Sequence, residues 1–317
     1  MRPALSVLFL TTLIGAGQGL FVALFGAEVV TLLRGQPLAP VAPLLVAGCA
    51  VALLLTGLGL LSSFFHLGRP ERAWRAASMW RTSWLSREVI VLPLFMAAVA
   101  GYGLVHWLGR GPCLLLGTLG TLLAVALFVC TGMIYAAVKV LREWATPLTV
   151  VNFLLMGCAS GFTLAAALAG VLAPALLVPY AWLAVALTVA AALARVGALV
   201  RNARLAPGST TQTAIGVKHP RVVQTAQGAM GGSFNTREFF HGRGPEFVAS
   251  MIRAFLLLAF AAPLALLLVA LVRGGAGTAA VAAAGAFVVQ YAGLMLERWV
   301  FFAQAQHPQN LYYQAVS

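Results

Sequence analysis

The chain has 317 residues, of which 62% are hydrophobic and 9% are charged, and its formal net charge is +13. A soluble domain carries about 25% charged residues, so this composition excludes an ordinary soluble domain. The positive charge does not indicate nucleic-acid binding, because the basic residues lie mostly in the connections between apolar runs, as in polytopic membrane proteins. The composition therefore predicts an integral membrane protein.

Apolar runs of about 20 residues recur along the chain and are long enough to cross a bilayer as helices. Strands are excluded, since the alternation of a transmembrane barrel is absent. The predicted fold is all-α, a bundle of eight transmembrane helices in a single membrane domain over residues 1–317. The predicted helices cover 7–33, 43–65, 87–108, 113–138, 148–172, 176–200, 248–272 and 278–302.

The distribution of Lys and Arg predicts the orientation of the bundle. Eight helices place both termini on one side, and 17 of the 20 Lys and Arg residues belong to that side. Because basic residues are retained in the cytoplasm, we expect both termini and the long connections 66–86 and 201–247 on the cytoplasmic side of a bacterial inner membrane.

Four isolated cysteines, Cys49, Cys113, Cys130 and Cys158, show no spacing typical of a metal site or redox pair. We therefore expect no metal ion and no iron–sulfur cluster in this chain. A b-type haem needs histidines on facing helices. His66 and His106 are predicted at opposite membrane faces, so haem is not expected either.

Polar side chains cluster near the predicted cytoplasmic boundary. His66 ends the second helix, Ser86 and Glu88 open the third, Tyr135 ends the fourth, and Gln18 lies a few turns inside the first. A quinone head group needs a hydrogen-bonding partner at each carbonyl and a route for two protons. Histidine titrates near neutral pH and suits proton exchange. We therefore predict His66 as the proton donor or acceptor and Glu88 as a proton relay.

The predicted quinone-binding residues are Gln18, His66, Arg69, Ser86, Glu88 and Tyr135. Structural interpretations stay open beside this one. His66 could cap the second helix, and Glu88 could form an ion pair with Arg69 or Arg87.

Two other acidic residues lie inside predicted helices. Glu297, beside Arg298, is interpreted as one half of a structural ion pair. Glu28, near the outer end of the first helix, has Arg34 as its simplest predicted partner.

The 201–247 connection is predicted to be a docking arm for another protein. Its Gly228–Gly242 segment mixes glycine with Phe, Arg and His, and interfaces favour aromatic residues and arginine. The segment lacks the Gly-Lys-Ser/Thr sequence of a phosphate-binding loop, so nucleotide binding is not expected. A disordered linker is the alternative.

Several motifs resemble the anchor subunit of bacterial dimethyl sulfoxide reductase, and the resemblance covers the whole chain. The motifs are His66-Leu67-Gly68-Arg69-Pro70, Leu85-Ser86-Arg87-Glu88, Glu297-Arg298-Trp299 and His307-Pro308-Gln309-Asn310-Leu311-Tyr312-Tyr313. The resemblance implies a subunit without its own cofactor that holds a molybdopterin catalytic subunit and an iron–sulfur subunit on the membrane and exchanges electrons with quinone. It also implies that His66 and Glu88 take part in quinol binding and that Gln18 is a polar position of the first helix.

The predicted orientation departs from the best-known members of that family, whose catalytic subunits are exported. A cytoplasmic docking face resembles the anchor of sulfite dehydrogenase, in which electrons run from sulfite to quinone. An anchor that oxidises menaquinol for sulfoxide reduction is the alternative within the family. Two further alternatives remain. One is a secondary transporter, although no internal repeat is evident, and the other is a purely structural anchor that needs neither His66 nor Glu88.

Overall fold

The computed structural model describes residues 1–206, 208–219, 221–222, 241–272 and 276–307. Most of the Gly228–Gly242 segment and the tail from residue 308 therefore lie outside the described residues. Within the described part the chain is helical and contains no strand, and eight helices are long and apolar enough to cross a membrane. The predicted fold class is confirmed.

The membrane helices follow one another along the chain, and their connections are short except those before the third and the seventh helix. They are α1 Leu5–Leu33, α2 Ala42–Ser63, α3 Trp84–Trp107, α4 Leu114–Ala136, α5 Pro147–Leu172, α6 Leu177–Ala203, α7 Pro245–Val272 and α8 Ala276–Ala303. Short 3-10 segments follow α2 at Phe64–His66 and Pro70–Met79, and one precedes α6 at Pro174–Leu176. A one-turn helix, Thr211–Ile215, lies after α6.

Helix starts follow ordinary capping chemistry. The Ser83 hydroxyl accepts from the Ser86 backbone N–H at 3.3 Å, so α3 begins at Trp84, three residues before the predicted start. Thr146 caps α5, and Pro147 at its first position has no N–H to leave unpaired. Glu88 consequently lies in the second turn of α3 rather than at its entrance.

Helix α1 is the centre of the bundle. Its most apolar stretch is 72% buried, whereas the other seven helices reach 28–56%. Small residues on α1 permit this, because a glycine lets the backbones of two membrane helices approach closely. The closest approach is between α1 and α5: a Cβ on Gly19 would lie 2.2 Å from Gly157 O, and one on Gly161 would lie 2.2 Å from Gly19 C.

A π-helical turn, Leu257–Ala261, interrupts α7 just before Pro263. Proline has no N–H, so it cannot bond to the carbonyl of Ala259 four residues earlier. The buried side chain of Gln290 on α8 donates to that carbonyl at 3.4 Å and to Thr188 Oγ1 on α6 at 3.0 Å. Gln290 thereby joins the interrupted helix to two neighbours.

The two ends of the bundle differ. The loop face is formed by residues 64–83, 137–146 and 204–222, where Arg142 donates to Ala206 O at 2.8 Å and Arg201 to Arg142 O at 3.1 Å. The opposite face carries the short connections 34–41, 108–113 and 173–176. The long connections therefore lie at the same end of the bundle, as the alternation of eight helices predicts.

At the opposite face Glu28 pairs with His106 and not with Arg34, so the predicted partner was wrong. Glu28 Oε1 accepts from the Cys113 backbone N–H at 2.7 Å and lies 3.4 Å from His106 Nε2. The Tyr102 ring packs on His106 at 4.5 Å between centroids. Arg34 is exposed beyond the end of α1 and forms no ion pair with the buried side chain of Glu28. Through His106 and Cys113, Glu28 instead joins α1 to α3 and to the start of α4.

We expect Gly161→Leu to destabilise the protein strongly, because the added side chain would need space that the backbone of α1 already fills. Overpacking of a tight core lowers the free energy of unfolding by about 1–3 kcal/mol. We expect a loss near the upper end of this range, because the neighbour is backbone and cannot change its rotamer. Thermal unfolding in detergent measures the loss. Gly26→Leu is the matched control, since no atom lies within 4 Å of a Cβ there; equal losses for both variants would contradict the close-packing account.

We expect Glu28→Gln to lower the free energy of unfolding by about 2 kcal/mol, the usual cost of disrupting a buried charged hydrogen bond. Glu71→Gln serves as the exposed control. Denaturant titration in detergent gives both values. Unchanged stability in Glu28→Gln would show that the His106 and Cys113 contacts do not hold this end together.

Candidate functional site

A cavity opens among α1, α3, α4, α5 and α8, towards the loop face. The space between its walls is about 430 Å³ when the open mouth is counted, and about 20 Å³ of it is enclosed. Its walls are largely apolar, with Leu10, Ile14, Phe128, Met156 and Leu294 among them. Polar side chains from α1, α3, α4, α5 and α8 also enter these walls, and a site for an amphipathic ligand combines apolar walls with placed polar groups.

Glu88 of α3 is one of those polar groups. It is 8% exposed and lines the cavity, and the Thr131 hydroxyl of α4 donates to its Oε1. An ionisable side chain in the hydrocarbon region is costly and usually has a partner or a task. Arg87, the alternative ion-pair partner, donates instead to the Trp80 and Arg81 carbonyls, and Arg69 is exposed. Glu88 thus lies inside the bundle and has no arginine partner among the residues that the structure describes.

Gln18 of α1 lines the same cavity. It is 2% exposed, and its Nε2 donates to Ala124 O of α4 at 2.9 Å. The structure therefore brings two of the predicted site residues, Gln18 and Glu88, to one cavity, each held by a hydrogen bond to α4.

Arg298 of α8 enters the cavity from another wall. It is 4% exposed, and its guanidinium carbon lies 3.6 Å from the centre of the Phe153 ring. Glu297 lies beside it, with Oε2 3.5 Å from Arg298 Nη1, and its Oε1 is 2.7 Å from Arg195 Nε of α6. The local Glu297–Arg298 pair was predicted, whereas the position of Arg298 in the cavity wall and the third member, Arg195, were missed.

Tyr135 lies behind the cavity wall and does not line it. Its ring stacks on Phe153 at 5.5 Å and meets Trp144 edge-on at 5.3 Å, in an aromatic cluster that also contains Phe301. Trp144 donates to the Phe301 carbonyl at 3.0 Å. Tyr135 therefore supports the ring on which Arg298 rests.

His66 and Arg69 are exposed on the loop face and do not line the cavity. His66 ends the 3-10 turn that follows α2. The end of α2 lies beside the start of α1, where the Ser62 hydroxyl donates to Ser6 O at 3.1 Å. Ser86 is buried in the first turn of α3 and does not line the cavity either. The structure thus places His66, Arg69 and Ser86 at the loop face, separate from the cavity that Gln18 and Glu88 share.

Hydroxyl groups of Thr11, Thr12 and Ser160 also line the cavity and were missed. Each bonds a carbonyl of its own helix; Ser160 Oγ, for example, donates to Gly157 O at 3.1 Å. Threonine and serine are common in membrane helices for this reason, so their type alone gives no signal of a site.

Within the described ranges, no group of three His, Cys, Asp or Glu side chains could hold a metal ion. The four cysteines are unpaired, and Cys49 and Cys130 are buried. The polar chemistry of the cavity is therefore that of carboxylate, amide, hydroxyl and guanidinium groups.

Comparison with known proteins identifies the family. Residues 1–304 match the family described as DMSO reductase anchor subunit (DmsC). The chain is also 53% identical over 330 aligned positions to a protein named as a sulfite dehydrogenase subunit from Allochromatium vinosum, and the alignment covers the whole of both chains. A family match over nearly the entire length implies a multi-pass membrane protein with catalytic and electron-transfer partner subunits. The chain therefore belongs to the DMSO reductase anchor subunit family, as a membrane anchor subunit of an oxidoreductase complex.

Proposed function

We propose that this anchor subunit exchanges electrons with membrane quinone in the cavity between α1, α3, α4, α5 and α8. The cavity carries the proposal because it combines apolar walls with Glu88, Gln18 and Arg298. A quinone ring is flat and apolar with a carbonyl oxygen at each end. It suits a slot with apolar faces and polar groups in its wall, and the walls must move apart to admit it, because the enclosed space is small.

The reaction requires two electrons and two protons for each quinone reduced to quinol. The electrons come from or return to an iron–sulfur partner subunit docked on the loop face. We propose that Glu88 passes protons between the quinone and the loop face, and that His66, exposed on that face, exchanges them with water. Gln18 orients the ring from α1, while Arg69, Ser86 and Tyr135 support the site from its surroundings.

The proposed partners are an iron–sulfur subunit and a molybdopterin catalytic subunit, and the 201–247 connection stays the predicted docking arm. The full-length similarity to a sulfite dehydrogenase subunit supports sulfite as the electron donor of the complex and quinone as the acceptor. The family match itself is compatible with the reverse direction, from menaquinol to a sulfoxide. It favours an anchor over a secondary transporter.

We expect Glu88→Gln and His66→Ala to lower quinone-linked turnover of the purified complex by about 100-fold, the typical contribution of a general acid or base. Electron transfer to an artificial dye should stay unchanged, because the dye takes electrons from the hydrophilic subunits. Glu71→Gln, which changes an exposed acid, is the matched control for Glu88→Gln.

The pattern of losses separates the alternatives. Loss of both activities in a variant would assign that residue to folding or docking. Normal quinone-linked turnover in both variants would leave a purely structural anchor.

The orientation decides between the two branches of the family. In a variant without native cysteines, we expect Lys218→Cys on the loop face to resist an impermeant thiol reagent in intact cells. Arg110→Cys, exposed at the opposite face, should react readily. The reverse pattern would place the loop face outside the cytoplasm and support an exported catalytic partner, as in sulfoxide reduction.

A further inference from the structure

Three charged side chains are buried together beside the cavity. Arg195 is 2% exposed, Glu297 0% and Arg298 4%. Buried charges are costly in any protein and especially at membrane depth. A purely structural pair would need one cation and one anion, whereas this group has a second cation.

The carboxylate of Glu297 is divided between the two arginines. One oxygen lies 2.7 Å from Arg195 Nε and the other 3.5 Å from Arg298 Nη1. Among the described residues, one negative charge thus balances two positive ones, and the group carries a net charge of +1. Arg195 does not line the cavity and Arg298 does, so the uncompensated positive charge lies at the cavity wall.

Arg298 is held in a defined position. Its guanidinium carbon lies 3.6 Å from the centre of the Phe153 ring and 5.6 Å from that of Phe301. An arginine keeps its proton under all physiological conditions. Arg298 is therefore a fixed hydrogen-bond donor with a permanent charge, and it cannot take part in proton exchange.

The acid in the same cavity belongs to a different wall. Glu88 on α3 bonds the Thr131 hydroxyl and forms no ion pair with Arg298 on α8. The cavity thus presents a carboxyl group on α3 and a guanidinium group on α8. This arrangement suits a ligand with an oxygen at each end, one near an acid and the other near a cation.

We propose that Arg298 holds the quinone oxygen remote from Glu88 and stabilises the negative charge that develops there as electrons arrive. Glu297 and Arg195 are positioning residues that keep the guanidinium at the wall. Arg298 donates hydrogen bonds and keeps its own proton, while both protons of the quinol enter from water at the loop face. The inference rests on the proposed quinone function and adds that the site prefers ring oxygens bearing negative charge.

Two naphthoquinones of nearly equal size test the preference. 2-Hydroxy-1,4-naphthoquinone is an anion at neutral pH and 1,4-naphthoquinone is uncharged. Binding of each to the purified complex is followed by quenching of tryptophan fluorescence. We expect the wild type to bind the anion about 10- to 100-fold more tightly, the range for a charge-assisted hydrogen bond in a dry site. Equal affinities in the wild type would overturn the proposal without any variant.

Substitution tests the assignment to Arg298. We expect Arg298→Gln to abolish the preference for the anion and to lower quinone-linked kcat by about 10- to 100-fold, with dye-linked turnover unchanged. Arg298→Lys, which keeps the charge but loses the planar stack on Phe153, should keep the preference. Arg253→Gln removes an exposed arginine from α7 and is the matched control.

The outcomes separate this inference from the function on which it rests. A preference for the anion that survives in Arg298→Gln would assign it to another group and overturn the role of Arg298. If Arg298→Gln does not fold, loss of the preference in Arg298→Lys overturns the role of charge. A wild-type complex that binds neither compound and shows no quinone-linked turnover would reject the quinone function itself.

Discussion

A carboxylate, amide or guanidinium group inside a membrane has no bulk water to bond, so it needs a partner, which here comes mostly from another helix. This constraint organises the bundle. Gln18 bonds α4, Glu88 bonds α4, and Glu28 reaches the start of α4 and the end of α3. Glu297 of α8 reaches Arg195 of α6. Each of these polar groups thus joins two helices.

Glycines bring α1 and α5 close together beside the cavity. Gly19 and Gly161 meet backbone to backbone, one residue further along each helix than Gln18 and Ser160, which line the cavity. Gly15 and Gly157 also line it, and a Cβ on Gly157 would lie 3.0 Å from Gly15 O. This part of the cavity wall is therefore set by the packing of two helix backbones.

Hydropathy alone predicted the eight helices, because a bilayer demands long apolar runs and leaves few alternatives. Rarity of polar groups in such runs was enough to select Gln18 and Glu88. Their meeting at one cavity depends on the register of α1 against α3 and α4, which apolar periodicity does not specify. Arg195 escaped notice because it lies near the basic end of α6 and resembles an ordinary boundary arginine. Glu28 was assigned to its nearest cation in sequence, whereas its partner His106 comes from a distant turn that only the folded bundle brings close.

The Gly19–Gly161 contact has a consequence for energy conservation. It lies beyond Gln18 as seen from the loop face, and the Glu28–His106 pair lies further on, at the opposite face. The proposed reaction in the cavity would then exchange its protons at the loop face. If the electrons also enter from that face, turnover is electroneutral: the complex would feed or drain the quinone pool without itself building a membrane potential.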